Sequence, residues 1–204
     1  MLKPILFNSE MVQAILEGRK TATRRVIKPQ PPQSAILVMS KNPDVLHAYD
    51  EEIEHPGMDR RVYMAPYRPG DILYVRETWC NVNKPGVKPE YYYLADTVYC
   101  EDYDRSEWRW RPSIHMPKEA ARIFLRVKDV RAERLREIDE DGAIAEGLYK
   151  GWRLFGRGSL ALSARQAFMW LWTYITRKSP AAETWACNPW VWVISFERCE
   201  KPEE

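Results

Sequence analysis

Between Gly18 and Arg25 the chain reads Gly-Arg-Lys-Thr-Ala-Thr-Arg-Arg, setting one lysine, two threonines and three arginines within eight residues. Hydroxyls, an ammonium and guanidiniums together suit an anionic or carbonyl-bearing ligand. Strand alternation would aim Thr21, Thr23 and Arg25 at one face. Lys20 is an odd number of residues from Thr23, so the two can act together only if Lys20 is still in a turn, which Gly18 permits. The same composition also suits a solvated strand edge, where lysine and arginine discourage edge-to-edge pairing.

A helix must lead into this corner. Met11, Val12, Ile15 and Leu16 share one face over Ser9 to Glu17, with Ser9 suited to the N-cap and Gly18 to the left-handed stop. Thr21 to Ile27 is rich in β-branched residues and reads as a strand, ended by Lys28-Pro29-Gln30-Pro31-Pro32. Ile36 to Met39 reads as a short strand. Residues 40 to about 66 are polar and without period, an excursion that returns through the turn Arg68-Pro69-Gly70-Asp71. Further strands are expected over Asp71 to Trp79 and Tyr91 to Ala95. Glu101 to Pro112 reads as a charged aromatic loop. Over Arg122 to Val130, Ile123, Leu125 and Val127 alternate inward against Arg122, Arg126 and Lys128.

Asp139-Glu140-Asp141 supplies acids for the first turn of a helix that carries Glu146 and stops at Gly147. A loop from Gly147 to Gly158 follows. Ser163 and Gln166 suit a capping box for a helix bearing Phe168, Leu171, Trp172 and Ile175. Trp190 to Phe196 is an apolar closing strand. Strict βαβ alternation is absent, so the expected class is α+β: a mainly antiparallel sheet or small barrel with helices at its ends.

The 204 residues carry a net charge of only +2, so global electrostatics does not announce a nucleic-acid binder. Basic residues cluster locally instead, in Arg19 to Arg25 and in Arg105, Arg109, Arg111, Lys118 and Arg122. Nine tryptophans and eleven tyrosines fill cores or offer stacking platforms for bases. Cys80, Cys100, Cys187 and Cys199 are scattered without a CxxC pair or a neighbouring histidine. No metal site and no cofactor are expected from that spacing. No apolar run reaches the length of a membrane span, and the start of the chain has no signal-peptide pattern. The expectation is a cytoplasmic protein without a membrane partner, its oligomeric state undefined by the sequence.

Several of these segments, taken in order, resemble the ASCH domain, a small β-barrel of the PUA-like superfamily associated with RNA. They are the helix followed by Gly18-Arg-Lys-Thr-x-Thr-x-Arg25, then Gly70-Asp71-Ile-Leu-Tyr-Val-Arg-Glu77-Thr-Trp79, then Ala143-x-x-Glu146-Gly147. Arg111-Pro-x-Ile-His-Met-Pro117 and Asn188-Pro189-Trp190-Val-Trp-Val-Ile-Ser-Phe196 resemble the longer members found in bacteriophages and prophages. The resemblance implies one PUA-like domain over residues 1–200, with insertions at about 40–66 and 97–107 and a frayed tail at 201–204.

One branch of that family hydrolyses N4-acetylcytidine to cytidine and acetate, and its catalytic lysine, threonine and glutamate match Lys20, Thr23 and Glu146. The chain is about twice the length of that compact branch. Read chemically, Thr23 would attack the acyl carbon, Lys20 would take its proton, and Glu146 would return one to the leaving amine. Thr21, Arg25, Arg76, Glu77, Trp79 and His115 are the residues expected to contact substrate: guanidiniums for a phosphate or the carbonyl, and Trp79 to stack on a pyrimidine. Each also has a plainer reading. Glu146 suits a solvated helix end, Glu77 a surface ion pair with Arg76, His115 a turn and Trp79 the core. Expected partners are a nucleoside, a nucleotide or single-stranded RNA. A non-catalytic RNA-binding module and a metal-independent ribonuclease are the alternatives to the amidohydrolase.

Overall fold

The computed structural model describes residues 2–32, 37–39, 47–50, 62–82, 90–99, 109–152 and 159–202. The fold is α+β. Ten strands are assigned in chain order among these residues: β1 (Leu2–Leu6), β2 (Ala22–Val26), β3 (Leu37–Met39), β4 (His47–Asp50), β5 (Val62–Met64), β6 (Ile72–Arg76), β7 (Trp79–Val82), β8 (Glu90–Tyr93), β9 (Phe124–Arg134) and β10 (Trp190–Cys199). Three α-helices accompany them: α1 (Ser9–Leu16), α2 (Glu140–Ala145) and α3 (Ala164–Ile175).

A five-stranded sheet has the order β1-β6-β9-β10-β2. It is mixed: β1 runs parallel to β6, whereas β6 with β9 and β2 with β10 are antiparallel. The strand expected over Asp71 to Trp79 is two strands. Burial alternates through both, with Leu73, Val75, Glu77 and Trp79 inside, but hydrogen bonding passes from β1 and β9 to β8. The excursion over 40–66 is not irregular throughout, because β4 pairs with both β3 and β5 in a three-stranded antiparallel sheet. Strands of three or four residues are too short to declare a period. Much of the expected 97–107 insertion and of the Gly147 to Gly158 loop lies outside the described residues.

The chain forms two compact units. Unit 1 comprises residues 1–18, 71–126 and 197–204. In it α1 buries Met11, Val12, Ala14 and Ile15. The cap of α1 is Asn8, whose side chain accepts from the Met11 N–H at 2.8 Å, one residue earlier than Ser9. Trp79, Met116, Ala120, Ala121 and Phe124 form a second buried cluster.

Unit 2 comprises residues 19–70 and 127–196. Its buried side chains include Val130, Leu135, Ile138, Leu148, Phe168, Leu171, Trp172 and Ile194, each contributing about 1.5–3 kcal/mol of hydrophobic stabilisation when fully buried. The Asp139 carboxylate caps α2 by accepting from the Gly142 N–H at 2.7 Å. The Glu140 carboxylate accepts from the Ala164 and Arg165 N–H groups at 2.6 and 3.1 Å. An anion at the N-terminus of α3 is stabilising, and this one fastens α2 to α3. Ser163 caps α3 through the Gln166 N–H; Gln166 answers to the Leu162 N–H, so the box is offset by one residue. No helix among the described residues is long and apolar enough to cross a membrane.

Candidate active site

Lys20 lies just outside β2, in a bridge to Glu146, the C-cap residue of α2. Two glycines make the arrangement possible. Gly18 ends α1 with φ +77° and Gly147 ends α2 with φ +91°, left-handed values that favour glycine. The Thr21 N–H donates to the Ala145 carbonyl at 2.8 Å, which fixes the two segments side by side. The Lys20 Nζ then donates to Glu146 Oε2 at 2.6 Å, to the Glu146 carbonyl at 3.0 Å and to the Ala22 carbonyl at 2.8 Å.

This ion pair is almost wholly out of water, with 3 % of Lys20 and 5 % of Glu146 exposed. Desolvation is the largest influence on Lys20 and lowers its pKa; the Glu146 carboxylate opposes that, and Arg25 and Arg24 reinforce it. Taking the pair out of water costs several kcal/mol per ion, recovered only through such close contacts.

Arg24 extends the network. Its Nη1 lies 3.4 Å from Glu146 Oε1, while Nε and Nη2 donate to Glu133 Oε1 at 2.9 and 2.7 Å. The guanidinium sits 5.7 Å from the centre of the Phe168 ring. Sequence reading did not single out Arg24 or Glu133 as site residues. Alternation gave no signal for Arg24, because Ala22, Thr23 and Arg24 are buried in succession.

Thr23 is buried, its strand position paired with Ile194 of β10. The Ala22 carbonyl that accepts from Lys20 is bonded to the Thr23 nitrogen, so the ammonium stands one peptide unit from Thr23. Along the Thr21, Thr23 and Arg25 face, Thr21 is exposed and Arg25 half-buried. Lys20 therefore lies ahead of the strand and not within it, and the structure brings Lys20 and Glu146 together across 126 residues. Glu146 is not a solvated helix end.

Arg76, Glu77, Trp79 and His115 lie in unit 1. Glu77 is only 1 % exposed and does not pair with Arg76. Arg122 engages it at 3.0 and 3.1 Å and also grips Asp96 at 2.7 and 2.8 Å. Burial pushes the Glu77 carboxyl up, and Arg122 pulls it back. The Arg76 guanidinium donates to the Ile114 carbonyl. Trp79 is 3 % exposed, packed against Tyr91 and under Arg111, so no face of it is open to a pyrimidine. His115 is exposed at the end of a short 3-10 turn. Among the described residues no three His, Cys, Asp or Glu side chains gather as a metal centre.

No protein-family model matches the sequence, and neither a curated protein nor a solved structure matches it significantly.

Proposed function

We propose that the chain is an ASCH-type protein of the PUA-like superfamily that hydrolyses the exocyclic amide of an N4-acylated cytidine. The observation that carries this reading is the buried 2.6 Å contact between Lys20 and Glu146, one peptide unit from the buried Thr23.

A lysine and a glutamate held this way can pass one proton between them without changing the charge of the pair. With the proton on Glu146, Lys20 is a neutral amine able to act as a base, the direction in which burial shifts the lysine. The amine takes the Thr23 hydroxyl proton as the oxygen attacks the acyl carbon. Glu146 then protonates the cytosine N4 as the C–N bond breaks, leaving an acyl ester on Thr23. Water attacks that ester and gives its proton to the Glu146 carboxylate. The Lys20 ammonium returns a proton to the Thr23 oxygen, and both groups are reset. Arg25, half-buried on the Thr23 face, is the cation suited to the oxyanion or to a substrate phosphate.

A non-catalytic RNA-binding module is the second reading, favoured by the three acceptors that saturate the Lys20 ammonium. Incubation with N4-acetylcytidine and with single-stranded RNA, followed by chromatography of the products, separates the two. The enzyme reading expects cytidine and acetate from the wild type, from Thr23→Ser some turnover, and from Thr23→Val and Lys20→Arg essentially none. A guanidinium cannot serve as the base at neutral pH. A wild type that binds RNA but releases no acetate, with a harmless Lys20→Arg, would replace the enzyme reading by the binding module.

A further inference from the structure

The Arg111-Pro-Ser-Ile-His-Met-Pro117 segment of unit 1 has no part in the chemistry above. It builds the wall of a cleft of about 430 Å³ lined by Arg109, Trp110, Arg111, Pro112 and His115. That volume is in the range of small-molecule sites, roughly 300–1,000 Å³. Among the described lining residues are two guanidiniums, an imidazole and an indole, and no carboxylate. Among the described residues, Arg109, Arg111 and His115 have no carboxylate within salt-bridge distance. Two other arginines of unit 1 are engaged within the protein: Arg122 holds Glu77 and Asp96, and Arg76 holds the Ile114 carbonyl.

The wall is fixed from behind. Arg111 exchanges two backbone hydrogen bonds with Trp79, at 3.2 and 2.8 Å, and its guanidinium lies 5.1 Å from the centre of that ring. The 3-10 turn Ser113–His115 closes through the His115 N–H to Pro112 carbonyl bond at 3.0 Å. Met116 anchors it at 1 % exposure. Donors held on a rigid frame lose little freedom when they engage a ligand.

We propose that this cleft binds a nucleotide, the phosphate held by Arg109, Arg111 and His115 and the base stacked on Trp110. Planar guanidiniums match phosphate oxygens two at a time, and an indole stacks on any base irrespective of sequence. Cations gathered in a concavity also concentrate anions before contact.

Calorimetric titration of the full chain with AMP, adenosine and inorganic phosphate, at low and moderate salt, tests the assignment. AMP is expected to bind about tenfold or more tightly than adenosine, and to weaken as salt rises. Arg109→Ala should erase most of the advantage of AMP while leaving adenosine unchanged; Arg109 is exposed, so the fold is not at stake. Trp110→Ala should weaken AMP and adenosine alike, by about tenfold, and spare phosphate. A short oligouridylate without a terminal phosphate is the second arm. If it competes with AMP, the cleft takes nucleotides within a strand; if it does not, a free mononucleotide. Equal affinity for AMP and adenosine, an unchanged AMP affinity in Arg109→Ala, or no binding of AMP at millimolar concentration would overturn the proposal.

Discussion

Separating Lys20 from Glu146 should be among the most costly single changes in unit 2, and the cost should vanish in large part when both are removed. The side chains are 1 % and 7 % exposed, so solvent screening gives little relief. Breaking a buried pair by removing one partner costs about 3–5 kcal/mol, because the other charge is left uncompensated. The two halves differ. In Lys20→Met, Glu146 retains Arg24 at 3.4 Å, which sets that change near the lower end. In Glu146→Leu the lysine is left beside Arg24 and Arg25, which both oppose its charge, and the cost moves toward the upper end. The double variant removes both charges, and Arg24 retains Glu133 at 2.7 Å. Its cost should fall short of the sum of the singles by about 2–3 kcal/mol. Urea unfolding followed by far-UV circular dichroism measures all four proteins. Melting temperatures should fall by roughly 6–20 °C in the singles, at about 2–4 °C per kcal/mol for a chain of this size. Singles that cost less than about 1 kcal/mol each and add without coupling would refute the buried pair.

Turnover should depend on pH through Lys20. Its lowered pKa means that kcat rises with pH over a limb below the ordinary lysine range, and Arg25→Gln, by removing a like charge, should move that limb to higher pH; a limb that stays in place contradicts the role of Arg25. In stability the sign is the same. Folded Lys20 binds its proton less tightly than unfolded Lys20, so the fold gains stability as pH rises from the folded pKa toward the unfolded one, and Lys20→Met should flatten that gain in urea titrations at alkaline pH. In unit 1, Arg122→Met strands the 1 % exposed Glu77 and should cost about 3–5 kcal/mol, whereas Asp96→Asn removes a half-exposed partner and should cost under about 1 kcal/mol; equal losses in denaturation would show that Glu77 is not the buried end. Gly142→Ala should lose about 1–3 kcal/mol despite its better helix propensity, because the new Cβ would stand 2.9 Å from Asp139 Oδ1 and 3.0 Å from Arg24 Nη2; a neutral or stabilised variant in thermal melts would mean that both groups move aside freely.

Local grammar carried much of the secondary structure. Glycines that end α1 and α2, acids opening α2, and the alternation of β9 are all decided within a few residues, so they can be read without the fold. β9 runs through Arg134, past the expected end at Val130, because the pairing that prolongs it comes from distant chain. β1 escaped for the complementary reason: Leu2–Leu6 contains Pro4 and does not alternate cleanly, and it is a strand because β6 lies parallel to it. Trp79 shows the limit of composition. An indole next to Arg and Glu suggests a platform, yet β7 turns it inward beneath Arg111.

The site was half legible for the same reason. Residue types and the turn at Gly18 point to Lys20 and Thr23, but nothing local tells whether Glu146 meets solvent or lysine. What decides it is a run of charges contributed by three parts of the chain. From Lys20 the network passes to Glu146, Arg24, Glu133 and Arg131, at side-chain exposures of 1, 7, 2, 14 and 49 %. Each interior charge has an opposite neighbour, and the series ends at the surface, where Arg131 lies 3.3 Å from Glu133. A lone buried lysine would lose its proton or unfold its surroundings. In this series Arg24 lies between two carboxylates, 3.4 Å from Glu146 and 2.7 Å from Glu133, so the charge that Lys20 meets is itself held in place. The chain thereby buries Lys20 with an opposite charge beside it, and Arg24 and Glu133, which no motif marked, are the residues that hold that charge in place.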